Sequence, residues 1–127
     1  MTKAEAERRI LAFIDETLTA AAPGKPRVPG PLDGNSEECT DAGGFNGTVA
    51  RTYAQEVPGL DEATAAAAEQ LVVDLWTGKG LKVGKHSGPP GLVDLQTTVD
   101  GIEFLVRVSR PGHRVSAAGT TPCLAPT

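Results

Sequence analysis

The sequence predicts an α+β fold: an antiparallel β-sheet of about four to five strands with one helix packed on one face, an N-terminal helix and one disulfide. Three observations predict it. Two segments place apolar residues at helical spacing, a later stretch alternates apolar and polar residues as strands do, and two cysteines bracket the most regular part of the sequence. The length of 127 residues fits a single domain.

The first segment, residues 1–22, predicts an amphipathic helix. Thr2 and Glu5 form a T-x-x-E capping box, and Pro23-Gly24 ends the pattern. The apolar residues at helical spacing are Ile10, Leu11, Ile14 and Leu18. The opposite face is charged with both signs, so we expect this helix to dock on the domain rather than lie on a membrane surface.

Residues 23–44 are rich in Pro and Gly, which predicts an irregular loop before a core that spans 45–127. The core opens with a strand over 45–57. Phe45, Val49 and Tyr53 share one face of this strand with Arg51. An arginine on an apolar face favours a bulge or a snorkelling side chain, and the alternative is a contact with a partner.

A second helix follows, with Asp61 as its N-cap and glycines 78 and 80 at its end. The residues at helical spacing are Ala68, Leu71, Val72, Leu75 and Trp76. Because the only Trp of the chain lies on this apolar stripe, we expect it in the core rather than at a binding site.

Alternating segments then predict the rest of the sheet. One strand begins at Leu81 and Val83, and two more span residues 93–99 and 102–108. Asp100-Gly101 is a two-residue hairpin turn, and Pro111-Gly112 suits the central positions of a type II turn. A last strand is expected from Val115 onward.

The two cysteines, Cys39 and Cys123, lie in loop-like segments and outside any CxxC motif. A disulfide between them would join the start of the core to its end and imply a location outside the cytoplasm. The alternative is two reduced thiols in a cytoplasmic protein. The first residues, MTKAEAERRI, lack the apolar core of a signal peptide, so an extracytoplasmic location requires a leader absent from this sequence.

Composition and charge exclude several function classes. The net charge is −4, with 11 acidic and 6 basic residues in positions 1–63, so we expect no nucleic-acid partner. No apolar run approaches the ~20 residues of a transmembrane helix. The acidic half of the chain suits either solubility or a basic partner.

No motif predicts catalysis, a cofactor or a metal. The segment GKGLKVGK, residues 78–85, has the wrong glycine spacing for a phosphate-binding loop and runs from helix to strand. His86 and His113 lack metal-ligand spacing, and no G-x-S-x-G is present. We therefore expect a protein that is not an enzyme. A small enzyme that uses Cys39 as a thiolate is the less favoured alternative.

These features together resemble small actinobacterial secreted proteins and lipoproteins. The shared features are a helix that ends in Trp76 followed by Gly78 or Gly80, a hairpin at Asp100-Gly101, and a terminal Pro122-Cys123 with Cys39 as the earlier cysteine. The resemblance covers most of residues 39–123. It implies an extracytoplasmic domain, secreted or membrane-anchored, and the group mostly lacks an assigned activity.

The sequence therefore favours a non-catalytic protein-binding domain, most concretely an immunity protein or inhibitor that masks a toxin or enzyme outside the cytoplasm. A structural envelope lipoprotein domain without a tight partner is the alternative. The candidate contact regions are the acidic first half and the loops 85–91 and 110–114, together with the polar sheet face on which Leu105 lies. The candidate contact residues are Glu37, Glu38, Arg51, Leu105, Arg107, Arg110 and His113.

Overall fold

The computed structural model describes residues 1–125 and confirms the α+β class. Two helices cover one face of an antiparallel sheet. The elements in chain order are α1 (Lys3–Ala21), β1 (Val28–Pro29), β2 (Ser36–Asp41), β3 (Gly44–Val57), α2 (Glu62–Gly78), β4 (Gly84–Ser87), β5 (Leu92–Val99), β6 (Ile102–Ser109) and β7 (Arg114–Thr120). The sheet thus has seven strands, more than the four to five that the sequence predicts.

Both helices begin at the residues that the sequence indicates. The Thr2 side chain accepts a hydrogen bond from the backbone N–H of Glu5, with Oγ1 and N 3.1 Å apart. The Asp61 carboxylate accepts from the N–H of Thr64 at 2.7 Å. Each cap satisfies a backbone donor that the first turn of a helix leaves free.

The strand order is β1-β3-β7-β6-β5-β4, and β2 pairs with β3. β7 therefore lies between β3 and β6, although β3 and β7 are far apart in the chain. Their register runs from Thr52 opposite Thr120 to Val57 opposite Val115. The sheet is completed only by this long-range pairing.

The core lies between the helices and the inward face of the sheet. Ile10, Ile14 and Leu18 of α1 are fully buried, as is Trp76 of α2, which confirms the core position expected for the tryptophan. The sheet contributes alternate residues: Leu95, Ile102, Phe104, Val106, Val108, Val115 and Ala117. Leu71, expected on the same stripe of α2, is exposed.

The Pro/Gly-rich segment 23–44, for which the sequence predicts an irregular loop, contains two strands. β1 is only two residues long, and the six residues of β2 include three carboxylates and no apolar alternation. Both strands form by pairing with one edge of β3. Their strand structure thus comes from a non-local partner, which a local pattern does not reveal.

Three further expectations are corrected. The strand expected at Leu81 and Val83 begins at Gly84, and these two side chains instead pack partly buried against the core. Phe45, expected on an apolar face with Val49 and Tyr53, is 53% exposed. β2 and β3 form a two-stranded hairpin at this point, and no third layer among residues 1–125 covers the ring.

The third correction concerns the turn between β6 and β7. Gly112 does not adopt the positive φ that a type II turn requires at this position; His113 does, with φ of 51°. The N–H of Gly112 donates to Oγ of Ser109 at 3.0 Å. The other hairpin is as predicted, because Asp100 and Gly101 both have positive φ, as a type I′ turn requires.

Candidate functional site

The face of the sheet opposite the helices, which we call the open face, carries a groove of about 750 Å³. The strand residues that line it come from β4, β5, β6 and β7, and the segment 80–82 and Leu32 also border it. Ligand pockets commonly enclose 300–1,000 Å³, so this groove has the size of a binding site.

The register of four strands sets the floor of the groove and of a smaller depression beside it. Gln96 lies opposite Leu105, Leu105 opposite Ala118, and Ala118 opposite Ala54. These residues form one row across the sheet. The two alanines leave a depression beside Leu105, because a methyl group fills little space above a sheet.

Leu32 overlies this depression because the loop before β2 is fastened to β3. The N–H of Gly30 donates to the carbonyl of Ala54, and the N–H of Ala54 donates to the Asp33 carboxylate at 2.9 Å. A Cβ on Gly30 would stand 2.9 Å from that of Ala54, so the close approach needs glycine. Leu32 is nevertheless 45% exposed, and it borders both the groove and this depression, which has a volume of about 210 Å³.

The charges of the open face fall into two groups. Arg107 binds Asp94 through two hydrogen bonds, Nε to Oδ1 at 2.8 Å and Nη2 to Oδ2 at 2.9 Å. This pairing lowers the pKa of Asp94 and raises that of Arg107. By contrast, no ion pair between described residues involves Lys82 or Glu103, which both line the groove. Their charges remain available to a ligand.

The candidate contact residues predicted from the sequence do not form one cluster. Leu105 and Arg107 lie together on the open face, two residues apart on β6. Glu37 pairs with Ala50, and both line a shallow depression with Thr120, so it borders the same side of the sheet. Arg110 and His113 are exposed in the turn that follows β6.

Arg51 and Glu38 lie elsewhere. Arg51 is half-buried and lines a small cavity with Lys3 of α1 and Leu124, on the helix side of the sheet. Its backbone N–H donates to Oγ1 of Thr121 at 3.0 Å. Glu38 pairs with Val49, one position out of phase with Glu37, and so points away from the open face. Whether any of these residues contacts a partner stays a prediction.

Sequence reasoning did not single out Leu32, Lys82 or Glu103 as contact residues. Leu32 lies in a loop whose position depends on β3, and no local pattern places it. Glu103 could have been predicted from the sequence, because alternation along β6 puts it on the same face as Leu105 and Arg107.

The disulfide between Cys39 and Cys123 is confirmed, with the two Cα atoms 6.2 Å apart. It joins β2 to the segment after β7. Val49 and Leu124 exchange two backbone hydrogen bonds beside it, of 2.8 and 3.0 Å. Because Cys39 is oxidised, the hypothesis of a catalytic Cys39 thiolate has no nucleophile in this structure.

The groove has the features of a binding surface. Its lining includes apolar side chains, threonine hydroxyls, the Gln96 amide and one charge of each sign. Among residues 1–125, no group of three or more His, Cys, Asp or Glu side chains is placed to hold a metal ion. Neither helix within the same range is long and apolar enough to cross a membrane.

No protein-family model matches the chain, and no curated protein matches its sequence. Among solved structures it is similar to a crystal structure described as that of the "putative lipoprotein LppA from Mycobacterium tuberculosis". The TM-score is 0.53 and the identity 16%, over 96% of this chain and 76% of that one. At this identity the likeness shows a common fold alone. It agrees with the expected resemblance to actinobacterial lipoproteins at the level of architecture.

Proposed function

We propose that the chain is a non-catalytic, extracytoplasmic domain that binds another protein through the open face of its sheet. The observation that carries the proposal is the contrast between the two faces. Helices cover one face over a mostly apolar core, whereas the other presents Leu32 and Leu105 around a groove with two unpaired charges. An apolar centre with a charged rim is the usual composition of a protein-binding surface.

The disulfide supports the extracytoplasmic part of the proposal. Disulfides persist in oxidising compartments and are rare in the cytoplasm. The fold likeness to a protein described as a lipoprotein supports the same location. Our more specific proposal is an immunity or inhibitor role, in which the bound partner is a toxin or an enzyme whose activity the complex suppresses.

The second candidate function is a structural envelope domain without a tight partner. The likeness to a structure described as that of a lipoprotein is compatible with it, because a shared fold does not imply a particular ligand or partner. The two candidates differ in one measurable respect: only the first requires a stoichiometric partner that the open face recognises.

The test is retention of a partner by immobilised protein under non-reducing conditions, with lysate and culture supernatant of the source organism. Leu105→Asp alters the centre of the open face, and Leu71→Asp is the matched control on the exposed surface of α2. We expect stoichiometric retention of one protein by the wild type and by Leu71→Asp, and its loss from Leu105→Asp. Equal retention by both variants, or none by the wild type, contradicts the proposal.

The immunity role has its own readout. The retained protein is assayed alone and with one equivalent of this chain. Suppression of a toxic or enzymatic activity supports an inhibitor, and an unchanged activity contradicts this finer proposal while leaving the binding function intact.

A further inference from the structure

The β2–β3 hairpin projects beyond the main sheet. We call residues 36–51 the arm: β2, the turn and the first part of β3. β7 pairs with β3 only from Thr52 onward. The β3 part of the arm therefore pairs with β2 on one edge and with the short segment around Leu124 on the other.

Phe45 is the most exposed large hydrophobic residue of the described chain, at 53%. Its pairing partner on β2 is Thr40, and Gly43 and Gly47 lie two positions before and after it. None of these residues can cover an aromatic ring. The arm therefore presents an aromatic side chain that its own structure has no means to bury.

The arm also carries a net negative charge, because it holds three carboxylates and one basic residue, Arg51. Glu37, Glu38 and Asp41 all lie on β2, and β2 holds no basic residue. No ion pair between described residues involves any of the three, whereas Asp94 and Glu56 of the main sheet both have arginine partners. Asp41 lies next to Phe45 in the hairpin, because it pairs with Gly44, and Glu37 and Glu38 lie further along β2.

The base of the arm is anchored to the segment after β7 at two points. The disulfide fixes Cys39 at the point where the register of β2 shifts, and the Val49–Leu124 bridge fixes the opposite edge. A preformed projection loses little conformational entropy on binding, which raises affinity without further contacts.

We infer that the arm is a second contact surface for the protein partner: Phe45 enters an apolar pocket of that partner, and lysines or arginines of the partner face the carboxylates along the arm, Glu37, Glu38 and Asp41. This inference rests on the proposed function. Exposed aromatic side chains supply much of the energy of protein interfaces, and opposite charges around them provide specificity. A membrane is the less favoured occupant, because the three carboxylates would repel anionic headgroups.

The experiment uses the photoreactive residue benzoylphenylalanine in the full chain, expressed in the source organism and irradiated in living cells. It replaces Phe45 in one variant, Leu105 in a second and Leu71 in a control. We expect cross-links from positions 45 and 105 to the same protein and none from position 71. The peptide joined to position 45 should come from an apolar pocket on a basic surface of the partner.

The outcomes separate the inference from the proposed function. A cross-link from position 105 without one from 45 overturns the inference and leaves the function standing. No cross-link from either position contradicts both. Cross-links to different proteins overturn the shared partner, and binding of the purified chain to vesicles of phosphatidylcholine, lost in Phe45→Ala, shows a membrane contact instead.

The cross-linked partner, once purified, serves as the probe for affinity. We expect Phe45→Ala to weaken binding about 10- to 100-fold and Leu71→Ala to leave it unchanged. The triple variant Glu37→Gln, Glu38→Gln, Asp41→Asn should bind more weakly and lose most of its salt dependence. An affinity of Phe45→Ala equal to the wild type, with the arm disulfide intact, overturns the inference.

Discussion

The indole Nε1 of Trp76 donates a hydrogen bond to Oγ1 of Thr17, 3.1 Å away, inside the fully buried interface between α1 and α2. The Phe13 ring lies beside both Trp76 and Phe104, with ring centroids 5.8 and 4.2 Å apart. The pair thus joins the two helices at the point where they meet the sheet. Apolar side chains can pack in several arrangements, whereas this hydrogen bond requires one distance and direction. It therefore fixes the position of α1 relative to α2.

Thr17→Val tests this contact by removing the acceptor while keeping the shape of the side chain. The Trp76 N–H would then be buried without a partner, so we expect a loss of about 1–3 kcal/mol in the free energy of unfolding. Urea denaturation followed by tryptophan fluorescence measures it. Thr98→Val, at an exposed strand position, is the control and should change stability by less than about 0.5 kcal/mol.

Gly119→Ala tests the close approach of α1 to the sheet. A Cβ at Gly119 would lie 2.7 Å from Cγ2 of Ile10 and 2.8 Å from Cε1 of Phe104. Neither neighbour can move freely in the core, and we expect a loss of about 1–3 kcal/mol. Gly78→Ala, which meets no atom within 4 Å, should be neutral or stabilising. Thermal unfolding of both variants gives the comparison, and equal midpoints would contradict this account of α1 packing.

Replacement of both cysteines by serine tests the disulfide. It spans 84 residues, and the loss of a cross-link of this length destabilises a fold by about 4 kcal/mol on a chain-entropy argument. We expect a lower midpoint in urea for the Cys39→Ser, Cys123→Ser variant. A reducing agent should shift the wild type toward the variant and leave the variant unchanged. Intact mass after alkylation without reductant should show no modified thiol in the wild type.

The Arg107–Asp94 pair predicts a dependence of stability on pH. Because hydrogen bonds from Arg107 lower the pKa of Asp94 in the folded protein, the pair stabilises the fold above the carboxyl pKa of the unfolded chain. This contribution is lost as the pH falls through the lowered folded-state value. We expect Asp94→Asn to cost about 0.5–1 kcal/mol at pH 7, and the difference from wild type to shrink in acid. In an Arg107→Gln background the same substitution should have little effect at either pH.

Local patterns were sufficient for the helices and for the β5–β6 hairpin. The caps at Thr2 and Asp61, the apolar spacing around Ile10 and Trp76, and the Asp100-Gly101 turn all depend on residues close in sequence. In each case the interacting residues lie within a few positions or a few helical turns of one another, so a short stretch of sequence contains the whole signal. The disulfide could be predicted because the chain has only two cysteines, which allow a single intramolecular pairing.

The parts that the sequence did not predict depend on distant partners. β2 is a strand because β3 offers it an edge, and Leu32 borders the groove because the Gly30–Asp33 loop is fastened to Ala54. The neighbours of each strand are likewise set by long-range pairing. Of the candidate contact residues, only the grouping of Leu105 with Arg107 follows from alternation along one strand.

The position of β7 between β3 and β6 also governs the order in which the protein can form. β7 separates two groups of strands, β1–β3 on one side and β4–β6 on the other, and α1 packs against it at Gly119. Until ribosomes have produced β7, no strand joins the two groups by backbone hydrogen bonds. The apolar stripe of α1 also lacks the part of the sheet against which Ile10 packs. Contacts between such distant segments slow folding. Completion of this fold therefore follows the synthesis of its seventh strand, and the apolar surfaces that β7 covers stay exposed until then.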